Sequence, residues 1–265
     1  MQTFNDLSIN PSRDTSIMKK AIFIAAHLTV LLFTACSTNS SNDISGGSNN
    51  DSISGNLRDS GTFVDSRDKQ VYKWVTIGKQ IWMAQNLNFQ TQYSWCYENS
   101  SDSCAKYGRL YTWASAMDLD NSCNTKTCSS ALVYPLKGVC PIGWHVPQYS
   151  EWQVLSEYVG KDSAGIILSS VTGWSDYQKC SSCEWMKIRG KNSYGFNALP
   201  AGIYENSQQQ NHFWGAGEYA FFRSSSESNH SDSGSVTPFI MIWDETSLDN
   251  DQEKKRAVSL RCVKD

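Results

Sequence analysis

The sequence predicts an α+β domain that combines two helices, small antiparallel sheets and long loops clamped by disulfides. Helical periodicity is confined to two short stretches, and the other apolar residues occur in short runs that Ser, Gly and Asn clusters separate. The chain also contains nine Cys in 265 residues, enough for several bridges. All ten Trp lie between Trp74 and Trp243, which places the folded part of the chain there.

The better defined helix begins after Pro147. We expect Ser150 to be its N-cap, with Gln153 as the reciprocal capping residue three positions later. Gly160 is placed to end this helix. Its apolar stripe at helical spacing comprises Trp152, Leu155, Tyr158 and Val159. A second helix is predicted over residues 110–117, where apolar side chains share one face.

The predicted strands are short. Residues 72–77 (YKWVTI) and 80–83 predict a hairpin whose two-residue turn is Gly78-Lys79. Residues 239–243 and 257–263 are also predicted to be strands. Long stretches of Ser, Gly and Asn separate these segments, so we expect much of the domain to be irregular.

Residues 18–35 have the pattern of a bacterial lipoprotein signal. Lys19 and Lys20 supply the basic start, residues 21–33 supply the apolar stretch, and small residues precede Cys36. We therefore expect Cys36 to be lipidated and to become the first residue of the mature chain. The alternative is a transmembrane anchor, but the apolar stretch falls short of the roughly 20 residues that span a bilayer.

The lipoprotein interpretation also predicts the roles of the segments on either side of Cys36. Residues 1–17 are polar and precede the basic start, so we expect a non-native extension with translation starting at Met18. Residues 36–60 are mostly Ser, Thr, Asn, Asp and Gly and predict a disordered tether with a mean reach of roughly 25–30 Å. Residues 61–265 suit one domain of ordinary size. We expect an exported protein that is lipid-anchored to the cell envelope and, in a diderm cell, to the outer membrane.

Eight cysteines remain once Cys36 is set aside. An even number in an exported chain favours disulfides, although eight cysteines allow 105 pairings. Spacing favours three short bridges and leaves a fourth pair between the middle and the end of the domain. In that arrangement the bridges are Cys96–Cys104, Cys123–Cys128, Cys180–Cys183 and Cys140–Cys262. The alternatives are a zinc site at Cys123, Cys128, Cys180 and Cys183, or a redox pair at Cys180-x-x-Cys183.

Five segments occur in an order that resembles a known family. They are VTIGKQIWMAQNLN (75–88), CAKYGRLYTWASAM (104–117), CPIGWHVPQYSEW (140–152), NSYGFNALPAGIY (192–204) and RCVKD (261–265). The series is similar to the Fibrobacter succinogenes major paralogous domain, which is often found in lipoproteins. The resemblance implies a fold related to C-type-lectin-like domains and to the formylglycine-generating sulfatase-modifying family, with no established reaction. Phe222 and Arg223 occupy a place where the family tends to show an aromatic residue and a Trp, so no binding role carries over there.

Aromatic side chains either build a core or stack on ligands such as sugar rings. Four tryptophans lie in apolar motifs and are expected in the core: Trp82, Trp113, Trp144 and Trp152. Four others lie beside Cys, Gly or Ser in loop-like sequence and are candidates for an exposed ligand platform: Trp95, Trp174, Trp185 and Trp214.

Residue spacing gives no catalytic or metal-binding constellation. We expect His145 to be a hydrogen-bonded structural residue, and Glu151 has no second acid or nucleophile at a catalytic spacing. His212 and His230 are expected to be solvated. The acidic residues between 244 and 251 do not resemble the calcium signatures of sugar-binding lectins and are expected to form a solvated loop. We therefore expect no metal and no cofactor.

The charge pattern narrows the choice of partners. A net charge of −3 without a Lys/Arg block does not favour a nucleic-acid or anionic-lipid partner. We expect a non-enzymatic surface lipoprotein that binds polysaccharide or another extracellular partner. One alternative is an enzyme related to the sulfatase-modifying fold, whose chemistry needs reactive thiols. The other is a structural envelope protein with a protein partner, which sequence alone does not distinguish from a polysaccharide binder.

Overall fold

The computed structural model describes residues 59–176, 182–185, 187, 189–206, 211–241 and 251–265. These residues belong to one compact unit, Ser54–Asp265. The signal, Cys36 and all but the last two residues of the tether lie outside the described residues. So do Cys180 and most of the acidic segment 244–251, and the predictions made for these residues stay predictions.

The described part of the chain is mixed α+β with small, mostly antiparallel sheets, as the sequence predicts. Its strands are β1 Ser60–Val64, β2 Val71–Ile77, β3 Gln80–Met83, β4 Ser94–Trp95, β5 Leu110–Tyr111, β6 Trp144–His145, β7 Ala201–Asn206, β8 Asn211–Ala216, β9 Tyr219–Phe221, β10 Gly234–Val236, β11 Phe239–Met241, β12 Asp251–Glu253, β13 Val258–Ser259 and β14 Val263–Lys264. Its α-helices are α1 Ser101–Tyr107, α2 Trp113–Met117, α3 Tyr149–Val159 and α4 Ala164–Leu168. The described residues thus contain four α-helices and not two; α1 and α4 are only seven and five residues long, too short to give a clear helical period in the sequence. None of these helices has both the length and the apolar character needed to cross a bilayer.

The strands form four sheets within the described residues. The largest has the order β1-β2-β3-β14-β6, and each of its pairs is antiparallel. A four-stranded sheet has the order β11-β9-β7-β8, a three-stranded sheet the order β13-β5-β4, and β10 pairs with β12. Among these strand pairs, β7 and β9 alone run parallel.

The five-stranded sheet lies between two hydrophobic cores. Side chains alternate along β2 and β3, so the Val75–Trp82 pair packs into one core and the neighbouring Trp74–Met83 pair packs into the other. The first core also receives α3, and the second receives α2. The four tryptophans predicted to be core residues are confirmed, since Trp82, Trp113, Trp144 and Trp152 are each at most 5% exposed.

Helix α3 starts two residues earlier than predicted. Its N-cap is Gln148 and not Ser150, because the Glu151 carboxylate accepts a hydrogen bond from the Gln148 backbone N–H at 2.8 Å. A charged acceptor at this position also interacts favourably with the positive end of the helix dipole, which the neutral Gln153 does not offer. The predicted end at Gly160 is confirmed.

The second predicted helix is shorter than expected. Leu110 and Tyr111 form β5, which pairs with β4 and β13, and α2 begins only at Trp113. Thr112 is the N-cap, since its side chain accepts a hydrogen bond from the Ser115 backbone N–H at 3.3 Å. The apolar spacing of residues 110–117 fits a helix, but pairing with two strands decides the conformation of the first two residues.

The predicted hairpin of β2 and β3 is confirmed, with its turn at Gly78-Lys79. Gly78 has a φ of +62°, and an added Cβ would lie 2.9 Å from the Tyr158 ring, so turn and packing both require glycine. The predicted strand 239–243 is present as β11, and its last two residues lie outside the described residues. The predicted strand 257–263 is divided into β13 and the start of β14.

Three disulfides join described residues, and they link the pairs that spacing favours. They are Cys96–Cys104, Cys123–Cys128 and Cys140–Cys262. Cys183 is also disulfide-bonded. Because Cys123 and Cys128 are bonded to each other, they cannot act as zinc thiolates, and the four-thiolate alternative is wrong.

Arg223, for which the sequence predicts no binding role, is wholly buried. Its guanidinium donates to Ser235 Oγ at 3.0 Å and to the backbone oxygen of Tyr111 at 3.2 Å. It also donates to the backbone oxygen of Arg256 at 2.5 Å. Burial lowers the pKa of Arg223 to about 9. Arg223 therefore connects three separate segments inside the domain.

Candidate functional site

The four candidate platform tryptophans do not form one surface. Trp174 is only 5% exposed and belongs to the first core, and its indole Nε1 donates to Ser170 Oγ at 3.1 Å. Because Trp174 is a core residue, it is not part of an exposed platform. Trp185 is 64% exposed. Trp95 and Trp214 are partly exposed. Trp95 packs against one face of a hairpin, and Trp214, which belongs to that hairpin, lies on its opposite face.

This hairpin consists of β7 and β8, and both of its faces carry aromatic residues. Ile203 pairs with Trp214, and Tyr204 pairs with Phe213. Because side chains alternate along a strand, the two pairs point to opposite faces. Gly202 allows the strands to approach here, since its φ is +66° and an added Cβ would lie 2.5 Å from the backbone oxygen of Trp214.

One face of the hairpin contributes to a cluster that we name the aromatic patch, defined as Trp95, Tyr97, Tyr204 and Phe213. Ring centroids are 4.5 Å apart between Trp95 and Tyr204, and 4.6 Å apart between Tyr204 and Phe213. Those of Tyr97 and Phe213 are 5.3 Å apart. All four side chains are partly exposed. The buried residues beneath them are Leu110, Ala201 and Ala257.

The other side of the aromatic patch comes from a distant segment that a disulfide holds in place. Trp95 lies on β4 and pairs with Leu110 of β5. Cys96 lies between Trp95 and Tyr97, and its bond to Cys104 fixes this segment against α1. The Tyr97 hydroxyl accepts a hydrogen bond from the backbone of Ala216, and burial nevertheless raises the pKa of Tyr97 above its usual value. Tyr97 is therefore a neutral phenol at physiological pH.

The aromatic patch is suited to binding. Indole and phenyl faces stack on the C–H faces of sugar rings, and tyrosine hydroxyls add hydrogen bonds at the edge. Aromatic faces and phenol hydroxyls are groups that recognise a ligand, so the patch is a candidate binding surface. Sequence alone did not identify Tyr97, Tyr204 and Phe213; two apolar pairs, Ile203-Tyr204 and Phe213-Trp214, separated by a polar segment, were the signal for the hairpin.

Two small clefts lie elsewhere on the domain. One has a volume of about 350 Å³ and is lined by Asp68, Phe89, Arg109 and the Cys96–Cys104 bridge, among others. Arg109 already donates to Gln90 Oε1 at 2.9 Å. The other cleft has a volume of about 270 Å³, and two of its lining residues are Asp118 and Asp120. The larger cleft is only slightly above the lower limit of about 300 Å³ for small-molecule sites and the smaller one is below it, so neither cleft is the stronger candidate.

Thiol and metal chemistry were the alternatives to simple binding. Seven cysteines of the domain are disulfide-bonded and hold no thiolate: Cys96, Cys104, Cys123, Cys128, Cys140, Cys183 and Cys262. Across the described ranges, no group of three or more His, Cys, Asp or Glu residues is arranged to hold a metal ion.

His145 is a buried structural residue between two carboxylates. Its Nε2 lies 2.9 Å from Glu151 Oε1, and its Nδ1 lies 2.8 Å from Asp265 Oδ1. Burial alone would lower the pKa of His145, but these hydrogen bonds outweigh it, and the pKa lies above the ordinary 6.5. Both ring nitrogens are committed to carboxylates, so His145 joins the start of α3 to the residues after β14.

We predict that this contribution of His145 to stability depends on pH. A folded-state pKa above the unfolded value means that the stabilisation is complete below about pH 6.5 and is lost as the pH rises through the folded-state pKa. The free energy of unfolding should therefore differ more between the native chain and a His145→Gln variant at about pH 5.5 than at about pH 9. Urea unfolding at the two pH values measures this difference. A difference that is the same at both values would contradict the prediction.

Comparison with known proteins gave one match. A family model described as the Fibrobacter succinogenes major domain matches residues 75–264. The match begins within β2 and includes β3, the aromatic patch and the Cys140–Cys262 bridge. No curated protein matches the chain, and no solved structure matches it.

Proposed function

The chain belongs to the Fibrobacter succinogenes major domain family, and on that premise we propose that its domain binds extracellular polysaccharide through the aromatic patch. In this proposal the domain is not an enzyme. It is attached to the outer membrane through acyl chains on Cys36, and residues 37–60 form a spacer between the lipid surface and the domain.

The aromatic patch is the observation that carries this proposal. Four aromatic side chains from two distant segments meet on one partly exposed surface, where a core residue would be fully covered. Trp and Tyr supply large, rigid contact areas at a low cost in conformational entropy, because each has only two side-chain torsions. Polysaccharide is a suitable ligand because repeated sugar rings offer repeated apolar faces to such a surface.

We further propose that the fold is of the C-type-lectin-like kind. Small antiparallel sheets, short helices and long connecting segments held by disulfides support this assignment. The bonded state of the cysteines argues against the alternative of a thiol-based enzyme related to the sulfatase-modifying fold. A structural protein with a protein partner would use the same patch, and the experiment below distinguishes it.

We predict that the detergent-solubilised full chain is retained on at least one insoluble neutral polysaccharide among cellulose, chitin, xylan and mannan. Replacing either Trp95 or Tyr204 with alanine should weaken binding roughly tenfold, which corresponds to about 1.4 kcal/mol, because each substitution removes a stacking surface. Depletion of the chain from solution at increasing amounts of polysaccharide gives the affinities.

The matched control is Trp185→Ala. Trp185 is more exposed than the patch tryptophan and lies outside the patch, so this variant should bind like the native chain. Native affinity in a folded Trp95→Ala/Tyr204→Ala variant would rule out the patch as the site. If no polysaccharide retains the native chain while envelope proteins do, the structural alternative replaces the proposal.

A further inference from the structure

The face of the β7–β8 hairpin opposite the aromatic patch carries two adjacent rows of side chains. Tyr204 and Ala257 exchange backbone hydrogen bonds at 3.0 and 2.9 Å in an antiparallel bridge, so a third strand segment lies beside β7. On its other edge, β7 pairs with β8, so the three segments lie side by side with β7 in the middle. One row across the three segments is therefore Trp214, Ile203 and Val258, and the next row is His212, Glu205 and Arg256.

The second row is polar, and two of its three members, Glu205 and Arg256, are joined by hydrogen bonds. Arg256 Nε lies 2.8 Å from Glu205 Oε2 and 3.1 Å from Glu205 Oε1. A guanidinium nitrogen of Arg256 also donates to Gln252 Oε1 at 2.5 Å. The Glu205 side chain is 13% exposed and that of Arg256 is 30% exposed, while His212 is exposed. Planar polar groups are thus fixed at the surface, with part of each still accessible.

The first row places an aromatic ring beside these groups. Ile203 and Val258 are fully buried, and Trp214 is partly exposed. The Trp214 ring is held edge-on to Tyr219, with ring centroids 5.6 Å apart. Trp214 and Glu205 are diagonal neighbours on adjacent strands, a separation that long and aromatic side chains span.

We infer that this face is a second saccharide site, the Trp214 site, which binds one uncharged sugar unit. The inference rests on the proposed function. A sugar ring has an apolar face and a polar edge, and the site offers Trp214 to the face and the Glu205–Arg256 pair to the edge. Neighbouring hydroxyls can donate to the carboxylate and accept from the guanidinium. Because the two charges neutralise each other, the site does not favour an acidic sugar.

The position of the Trp214 site has a consequence for how the domain binds polysaccharide. The aromatic patch and the Trp214 site lie on opposite faces of the same two strands, so one sugar unit cannot occupy both. Each chain then has two independent sites for a short oligosaccharide. On a polysaccharide surface, two sites on one domain raise the apparent affinity through effective concentration and can connect neighbouring polymer strands.

The stoichiometry of oligosaccharide binding tests this inference. The detergent-solubilised full chain is titrated calorimetrically with cellotetraose, xylotetraose, mannotetraose and chitotetraose. We expect the ligand that binds to do so with a stoichiometry of about two per native chain. The Trp95→Ala/Tyr204→Ala variant should retain one site, and Glu205→Gln should also retain one. Trp214→Leu is a second, independent variant of the same site and should give the same result as Glu205→Gln.

The matched control is Glu157→Gln, since Glu157 is an exposed glutamate on α3 and belongs to neither site. It should leave both sites intact. A native stoichiometry of one that the patch variant abolishes would overturn the Trp214 site and leave the proposed function standing. Native stoichiometry and affinity in folded Glu205→Gln and Trp214→Leu variants would also overturn it. A native chain that binds none of the four ligands and none of the polysaccharides would refute both proposals.

Discussion

Replacing Cys140 and Cys262 with alanine should lower the free energy of unfolding by about 5 kcal/mol. The two cysteines are separated by 122 positions, and a bridge that closes a loop of this length strongly restricts the unfolded chain. Both are fully buried in the second core, so alanine introduces no unpaired polar group. Since domains of this size are stable by about 5–15 kcal/mol, the loss removes much of the total. Urea unfolding of the native and double-variant chains measures the difference.

The Cys123→Ala/Cys128→Ala variant is the control for the effect of loop length. These two cysteines are separated by only 5 positions, and the same relation between loop length and entropy gives about 2 kcal/mol. Equal losses in the two double variants would contradict the dependence on loop length. No loss on removing Cys140 and Cys262 would show that this bridge does not stabilise the domain.

Local sequence signals were sufficient for the elements that depend on neighbouring residues. The β2–β3 hairpin followed from two short apolar runs around Gly78, a residue whose positive φ the turn requires. The core tryptophans were predictable because each lies in an apolar motif. Spacing likewise favoured the Cys140–Cys262 pairing, since the closer cysteines leave only these two.

Contacts between distant segments explain what sequence did not predict. Trp174 has polar neighbours, and only the packing of its loop against the first core makes it a buried residue. Helix α3 begins at Tyr149 because Glu151 and Ser226 accept hydrogen bonds from the backbone N–H groups of Gln148 and Tyr149, and Ser226 is far away in sequence.

The candidate site was predicted only in part for the same reason. Trp95 and Trp214 were named as platform residues, but the partners of Trp95 come from β7 and β8, more than a hundred positions later. A single sequence shows that aromatic residues are abundant; it does not show which of them meet across two sheets. The register of β7 and β8 supplies this information.

Replacing Arg261 with methionine should cost about 3–5 kcal/mol, because it leaves buried acceptors without donors. Arg261 is wholly buried between the rings of Phe196 and Phe222, at 4.3 and 5.3 Å from their centroids. Its guanidinium donates to Asn86 Oδ1 and to the backbone oxygen of Asn197, each at 2.8 Å, and to the backbone oxygen of Phe196. Burial lowers the pKa of Arg261 to about 9, so the group is still charged at neutral pH.

Two further variants separate the loss of these hydrogen bonds from the loss of an arginine in general. Arg261→Lys keeps the charge but not the planar arrangement of donors, and it should fall between the native chain and Arg261→Met in urea unfolding. Arg189→Met removes a half-exposed arginine whose guanidinium lies 3.2 Å from Asp176, and it should cost less than about 1 kcal/mol. If Arg261→Met were as stable as Arg189→Met, the acceptors around Arg261 would have to be satisfied by other groups. The cation would then not be the element that fixes residues 196–197 against the strands of the large sheet.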